Sequence, residues 1–183
     1  YYDRCSMTVS DGAMIEASGY INIQEPVKIN VYDNNNSGTV FYVNNATLNC
    51  PVNIHGGTLE ADYKSAKFNG EVTIADGAKA SLSGGSFAKL TVEGEKTCAD
   101  ALVKYYIYRN SADKSLVTDA KVKTLENVYV EKCSEHTFDD NHICTICGAI
   151  ADVIVIDADG NVTAFETFGD AMENAQTLTG TVT

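Results

Sequence analysis

A chain of 183 residues with 25 acidic against 13 basic side chains has a formal charge of -12, and no run of Lys or Arg concentrates the positive minority. Such a surface repels phosphate backbones and anionic headgroups, which argues against nucleic acid as a partner. Hydrophobic residues at 44% and charged residues at 21% fit a globular protein with one core or one core and a small appendage, and no stretch approaches the roughly 18 to 20 apolar residues that cross a bilayer.

The opening YYDRC has neither the basic nor the apolar segment of an export signal, and the closing TGTVT reads as the interior of a strand. Both are expected of a piece of a longer chain. Residues 1–96 read as rungs of a coil: short alternating runs such as GYINI, PVKINV, EVTI and KLTV are bounded by Gly, Asn and Asp, the mark of half-buried strands. The triplets Val27-Lys28-Ile29, Val52-Asn53-Ile54, Val72-Thr73-Ile74 and Leu90-Thr91-Val92 share an apolar-polar-apolar form and recur about every 18 to 25 residues, a solenoid period. HGGTL is echoed by SGGSF, which predicts corner pairs at Gly56-Gly57 and Gly84-Gly85. The fold class is therefore mainly β, a short right-handed parallel β-helix in which each rung buries its inward residues only against its neighbours. Irregular spacing leaves a β-sandwich as the alternative. DNNNSG, residues 33–38, is a bulging turn in either.

Residues 97–132 predict a capping helix and a hairpin. Thr97 and Asp100 have the form of a capping box, with Cys98, Ala101, Leu102 and Tyr105 on one face at helical spacing, so the segment is expected to cover the open end of the stack. YYIYRNSADKSLVT then reads as a hairpin with a polar turn and TLENVYVEK as a further strand. In residues 151–183, VIVI and VTAF flank the turn DADGN. Asp157 there resembles the start of a calcium loop, but twelve positions on stands Phe168 and not Glu, and a hairpin turn is the expectation. A helix follows, with Thr167 as N-cap and Phe168, Ala171, Met172 and Ala175 as its apolar stripe.

Residues 133–150 hold three of the 6 cysteines and two of the 3 histidines. Cys133 and His136 enclose two residues, as do Cys144 and Cys147, a spacing that lets consecutive ligands curl around one ion, and Gly148 leaves room for amide hydrogens to face thiolate sulfur. Cys133, His136, Cys144 and Cys147 thus form a Cys3His set of zinc-ribbon type. Zn2+ suits mixed sulfur and nitrogen donors, and four protein ligands would leave no place for water, making the metal structural. His142 is the alternative to His136, at the cost of a one-residue gap to Cys144. A Cys144–Cys147 disulfide is the alternative to a metal. Cys50 and Cys98 fall among apolar residues and read as buried thiols, with Cys5 open to pairing with either.

Residues 97–148, TCADALVKYYIY through LENVYVEKCSEHTF to CTICG, resemble a module repeated in large cell-wall-attached surface proteins of gut-dwelling Gram-positive anaerobes. There a β-helical segment leads into a short helix, a Tyr-rich hairpin, a strand and a Cys-x-x-His...Cys-x-x-Cys-Gly knot. The segment DADGNVTAFETFGDAMENAQTLTGTVT is similar to the opening of a following unit in that family. The resemblance implies the same four metal ligands, an extracellular place on a bacterial cell surface, a multi-unit parent chain, and attachment to host or dietary macromolecules, immunoglobulins among them. It implies no binding residue.

The first functional reading is a non-catalytic, adhesin-like binding module that recognises a host protein or glycan such as immunoglobulin or mucin. A structural spacer repeat is the second, and a β-helical glycan-active enzyme the third. Glu60, Asp62, Lys64 and Lys67 lie close in sequence, as an enzyme's groove requires, but read as a solvated turn; His55 stands beside no nucleophile motif. No catalytic residue and no organic cofactor are expected. The 10 Tyr and 6 Phe without Trp suit a protein interface, with Tyr20, Tyr32, Tyr42 and Tyr63 as the tyrosines of the rungs and Tyr105, Tyr106 and Tyr108 alternating along a strand.

Overall fold

Alternation of small β-branched and polar residues, punctuated by Gly, Asn and Asp, folds here into strands of three to nine residues. The computed structural model describes residues 28–177 except 35, 37, 63 and 135, and before them the strands 6–9, 14–17 and 22–24; Cys5, Tyr20, Val27, Tyr63 and the closing TGTVT lie outside the described residues. The chain divides into two units, Tyr1–Lys132 and Cys133–Thr183.

The first unit is a β-solenoid of about three turns. Its strands are β1 (Ser6–Val9), β2 (Met14–Ala17), β3 (Asn22–Gln24), β4 (Lys28–Val31), β5 (Val40–Val43), β6 (Thr47–Asn49), β7 (Val52–Ile54), β8 (Thr58–Ala61), β9 (Lys67–Ile74), β10 (Lys79–Leu82) and β11 (Ser86–Val92). Each stacks in parallel on the strand one turn away: β1 on β4 on β7 on β9, β3 on β6 on β9, and β2 on β5 on β8 on β10. Strands β9 and β11 each round a corner, so that Lys67 pairs with Thr47 while Val72 pairs with Val52. Parallel ladders between successive turns are incompatible with the alternative β-sandwich, whose sheets are antiparallel.

Register turns the apolar positions into columns. Ile29, Val52, Val72 and Leu90 align, as do Val31, Ile54, Ile74 and Val92, and all are buried. Leu48, Phe68 and Phe87 form another column, with the two rings stacked at 4.8 Å. The first triplet is thus displaced from the sequence expectation. Ile29-Asn30-Val31, and not Val27-Lys28-Ile29, is the equivalent of Val52-Asn53-Ile54. A slip of two residues keeps every side chain on its own face, so the pattern alone could not exclude it.

The glycine pairs do mark corners, but different ones: Gly56-Gly57 join β7 to β8, whereas Gly84-Gly85 join β10 to β11. Gly57 has φ +78 and any Cβ on it would run into the Thr39 carbonyl of the turn beneath. Gly70, at the bend of β9, is held by close approach instead, since a Cβ there would strike the backbone of Cys50 and Pro51.

The end of the stack departs from the expected capping helix. Only Cys98–Ala101 is helical, one 3-10 turn, in which the Asp100 carboxylate accepts from the Thr97 N–H at 2.7 Å and hydroxyl at 2.8 Å. Leu102 is extended and bridges Leu82 in parallel, and the Val103 N–H donates to the Leu82 carbonyl at 3.0 Å. The backbone continues the solenoid ladder there, which ends the helix. Tyr105 turns at φ +70, outside any helix, and is buried.

Strands β12 (Tyr106–Asn110) and β13 (Thr124–Lys132) then close the sheet in antiparallel fashion, β13 lying on β11 and β12 on β13. The expected polar-turn hairpin is present in short form, as an Arg109–Leu116 bridge with the Val117 N–H donating to the Tyr108 carbonyl. Tyr108 is buried and its hydroxyl donates to the Cys98 carbonyl at 2.9 Å.

The second unit contains a knot of turns followed by the antiparallel pair β14 (Val153–Ile156) and β15 (Val162–Phe165) and the helix α1 (Phe168–Thr177). The Asp157 carboxylate accepts from the Asp159 and Asn161 amides and from the Asn161 side chain, so DADGN is a hairpin turn, as expected. Thr167 is the N-cap, accepting from the Asp170 N–H at 3.2 Å. The apolar stripe of α1 is only partly covered: Ala171 is buried, but Phe168 is 68% and Met172 44% exposed. No helix among the described residues is long and apolar enough to cross a membrane.

Candidate metal centre

Local hydrogen bonding builds the knot before any ligand is considered. The Asp139 side chain accepts from the Asn141 and Ile143 amides at 2.9 Å, and its carbonyl accepts from the His142 N–H, which folds the loop back on itself. His142 stands at φ +63 at that reversal. Bridges between Phe138 and Cys144 and between Ile143 and Ile150 then fix the returning arm. The Gly148 N–H donates to the Cys144 carbonyl at 2.8 Å with Gly148 at φ +69, and the Cys144 N–H donates to the Ala149 carbonyl. Gly148 therefore serves the Cys-x-x-Cys knuckle by its backbone conformation; its own amide is already used.

These turns bring Cys133, His136, Cys144 and Cys147 together with their ligating atoms all within 4.8 Å of one another. Cys133 and Cys144 are buried, His136 and Cys147 half-buried. The His136 Nδ1 lies 3.4 Å from the Cys144 Sγ and 3.6 Å from the Cys147 Sγ. His142, the alternative ligand, is not part of the cluster. No disulfide joins Cys144 to Cys147, so that alternative is not formed. The other nitrogen of His136, Nε2, is buried and lies 3.1 Å from the Glu166 Oε2. Phe138 lies along the same ring, centroid to centroid 5.7 Å.

The electrostatics of the cluster are compatible with a cation. Burial raises the Cys144 thiol, but the amides of Cys147 and Ile146 and the His136 ring outweigh it and bring the group down to about 6. Burial pushes Cys147 up to about 12, against the Ala149 amide, and the neighbouring sulfurs of Cys144 and Cys133 add to the rise. One thiolate is thus favoured and the next disfavoured beside it. Only added positive charge lets several ionise together.

Tyr42, Cys50, His55, Lys64, Lys67 and Cys98, also singled out in the sequence, lie in the first unit. Tyr42 donates to Asp62 at 2.6 Å, Lys64 is exposed on the β8–β9 turn, and Lys67 is exposed as the first residue of β9. His55 stacks on Tyr32 with centroids 4.6 Å apart, one turn above it. Cys50 and Cys98 are buried, and burial raises Cys98 to about 11. Sequence reasoning missed two features. One is Glu166, far along the chain from His136 with no motif to link them. The other is two separate amide pairs between successive turns, in which the Asn53 side chain donates to Asn30 at 3.0 Å and Asn69 to Asn49 at 2.6 Å. Asn at matching places in successive turns was the available signal. No family model, curated protein or solved structure matches this chain.

Proposed function

We propose that the chain is a non-catalytic, adhesin-like binding module of a bacterial surface protein, whose second unit is folded around a structural Zn2+ held by Cys133, His136, Cys144 and Cys147. The observation that carries the metal reading is the spacing of the donors. Zinc bonds of about 2.3 Å to sulfur and about 2.0 Å to nitrogen at tetrahedral angles place the two donors about 3.5 Å apart. The Nδ1–Sγ distances of 3.4 and 3.6 Å match that edge. Four protein donors complete a tetrahedron, so the ion's chemistry is to neutralise thiolates and hold turns, not to activate water.

The binding reading rests on the solenoid. Its interior is packed with apolar columns, while its outer surface repeats polar and aromatic groups from turn to turn, Asn30 with Asn53 and Tyr32 with His55. A rigid face of that kind fits recognition of a host macromolecule such as immunoglobulin or mucin, immunoglobulins being among those the sequence resemblance implies. The same observation supports a second reading, a spacer repeat, because many of these groups satisfy one another along the stack. Metal content and free-thiol count of the purified chain test the first part: one zinc with Cys133, Cys144 and Cys147 protected is expected, and a metal-free protein overturns it. Capture of immunoglobulin, mucin or plant-fibre glycan, weakened in Tyr32→Ala/His55→Ala, tests the second. Failure to retain any of them leaves the spacer.

A further inference from the structure

We infer that Glu166 is a positioning residue of the metal centre: its carboxylate holds the His136 ring with the proton on Nε2, so that Nδ1 offers its lone pair to the ion. The inference rests on the metal reading of the four ligands. An imidazole that ligates through Nδ1 carries its remaining proton on Nε2, and a buried N–H needs an acceptor. In this unit Nδ1 faces the Cys144 and Cys147 sulfurs and Nε2 faces the Glu166 Oε2 at 3.1 Å, with the His136 and Glu166 side chains 12% and 19% exposed. At 3.1 Å the two atoms are within reach of an N–H···O hydrogen bond.

The backbone on both sides of Glu166 is fixed. Phe165 pairs with Val153 in the hairpin and its carbonyl accepts from the Asp152 N–H, while Thr167 caps α1. Other carboxylates of the unit are turned to local tasks, Asp139 and Asp157 to turn amides and Asp170 to Thr167. Glu166 alone of these four is aimed at a ring nitrogen of the cluster. Carboxylate support of this kind fixes the tautomer and raises the basicity of the ligating nitrogen. It also ties ion occupancy to the hairpin and helix that follow the knot.

The test uses the intact chain and Zn2+ in competition with a chromophoric chelator, comparing the native protein with Glu166→Gln and Glu166→Ala. Glu166→Ala is expected to bind about 10- to 100-fold more weakly, with the near-isosteric Glu166→Gln between the two. In the loaded native protein, NMR should find the His136 ring proton on Nε2 in slow exchange, and Glu166→Ala should lose that signal. A merely structural role for Glu166 would lower stability without moving the ring proton. Unchanged affinity in both variants, or a ring proton on Nδ1 in the loaded native protein, overturns the inference while the metal site stands. A native chain that takes up no metal overturns both.

Discussion

The two units of this chain meet the same demand, ordering backbone with few residues, by opposite means. In the solenoid, columns such as Ile29-Val52-Val72-Leu90 remove apolar side chains from water, and among the described residues the contiguous buried core lies within this unit. Among the described residues of the second unit the buried hydrophobic ones are Cys133, Cys144, Ala149, Val155 and Ala171, two of which belong to the Cys/His cluster. That area offsets little of the entropy of ordering a chain, and an ion held by the Cys/His cluster would supply more. Charge separates the units as well. All 13 Lys and Arg lie at or before Lys132, so the second unit has carboxylates and two histidines only. A cation there relieves repulsion as well as joining ligands, whereas the solenoid can pair its own charges, as Lys89 does with Glu71 at 2.8 Å.

The comparison breaks most sharply on removal of the metal. Cys144→Ser, or a strong chelator, should unfold the second unit, a loss on the order of 10 kcal/mol, while hydrogen exchange of β7, β9 and β11 stays protected. Loss of protection in both units at once would mean that they are not separately held. The reverse experiment is Phe68→Ala, which removes one of the stacked rings and leaves a cavity at a cost of about 3 to 5 kcal/mol. Denaturant unfolding should report that loss, with zinc stoichiometry unchanged. Gly70→Ala is expected to cost less, about 1 to 3 kcal/mol, because the added methyl must push the Cys50–Pro51 backbone aside. In the folded protein Cys98, raised to about 11 by burial, should resist thiol reagents until the solenoid itself opens.

The smallest effect is at the end of the stack, where Asp100→Asn should cost about 1 kcal/mol by weakening the cap on the 3-10 turn. The Thr97 amide and hydroxyl hold the Asp100 carboxyl below its ordinary value of 3.8. Its contribution is then present in full above that value and lost as pH falls through the lowered one. Stability curves of the native protein and Asp100→Asn should accordingly converge in acid. A difference that persists at low pH would assign the turn's stability to Thr97 or to packing instead.

Much of this was legible because short-range chemistry governed it. The Cys-x-x-His and Cys-x-x-Cys pairs, the Thr167 cap and the DADGN turn depend on residues within a few positions of one another, and each stands where spacing placed it. The solenoid was legible as a class, from period and alternation. Its register was not, because Val27 and Ile29 both satisfy a period-2 pattern, and only stacking on Val52 selects Ile29. The helix expected from Thr97 onwards failed for a related reason. Its apolar spacing was real, but the Leu82 strand offered Leu102 and Val103 a ladder, and backbone pairing took precedence over local propensity.

The sequence by itself determined the mainly β solenoid class, the four clustered Cys and His residues and the concentration of negative charge in the last 51 residues, all of which follow from residue type and near spacing. Only the tertiary structure decided which residues share a column, where the helix stops, and that Glu166 reaches His136. Those outcomes join residues many positions apart, and the free energy that selects among the available pairings is that of packing and burial, which no local pattern encodes.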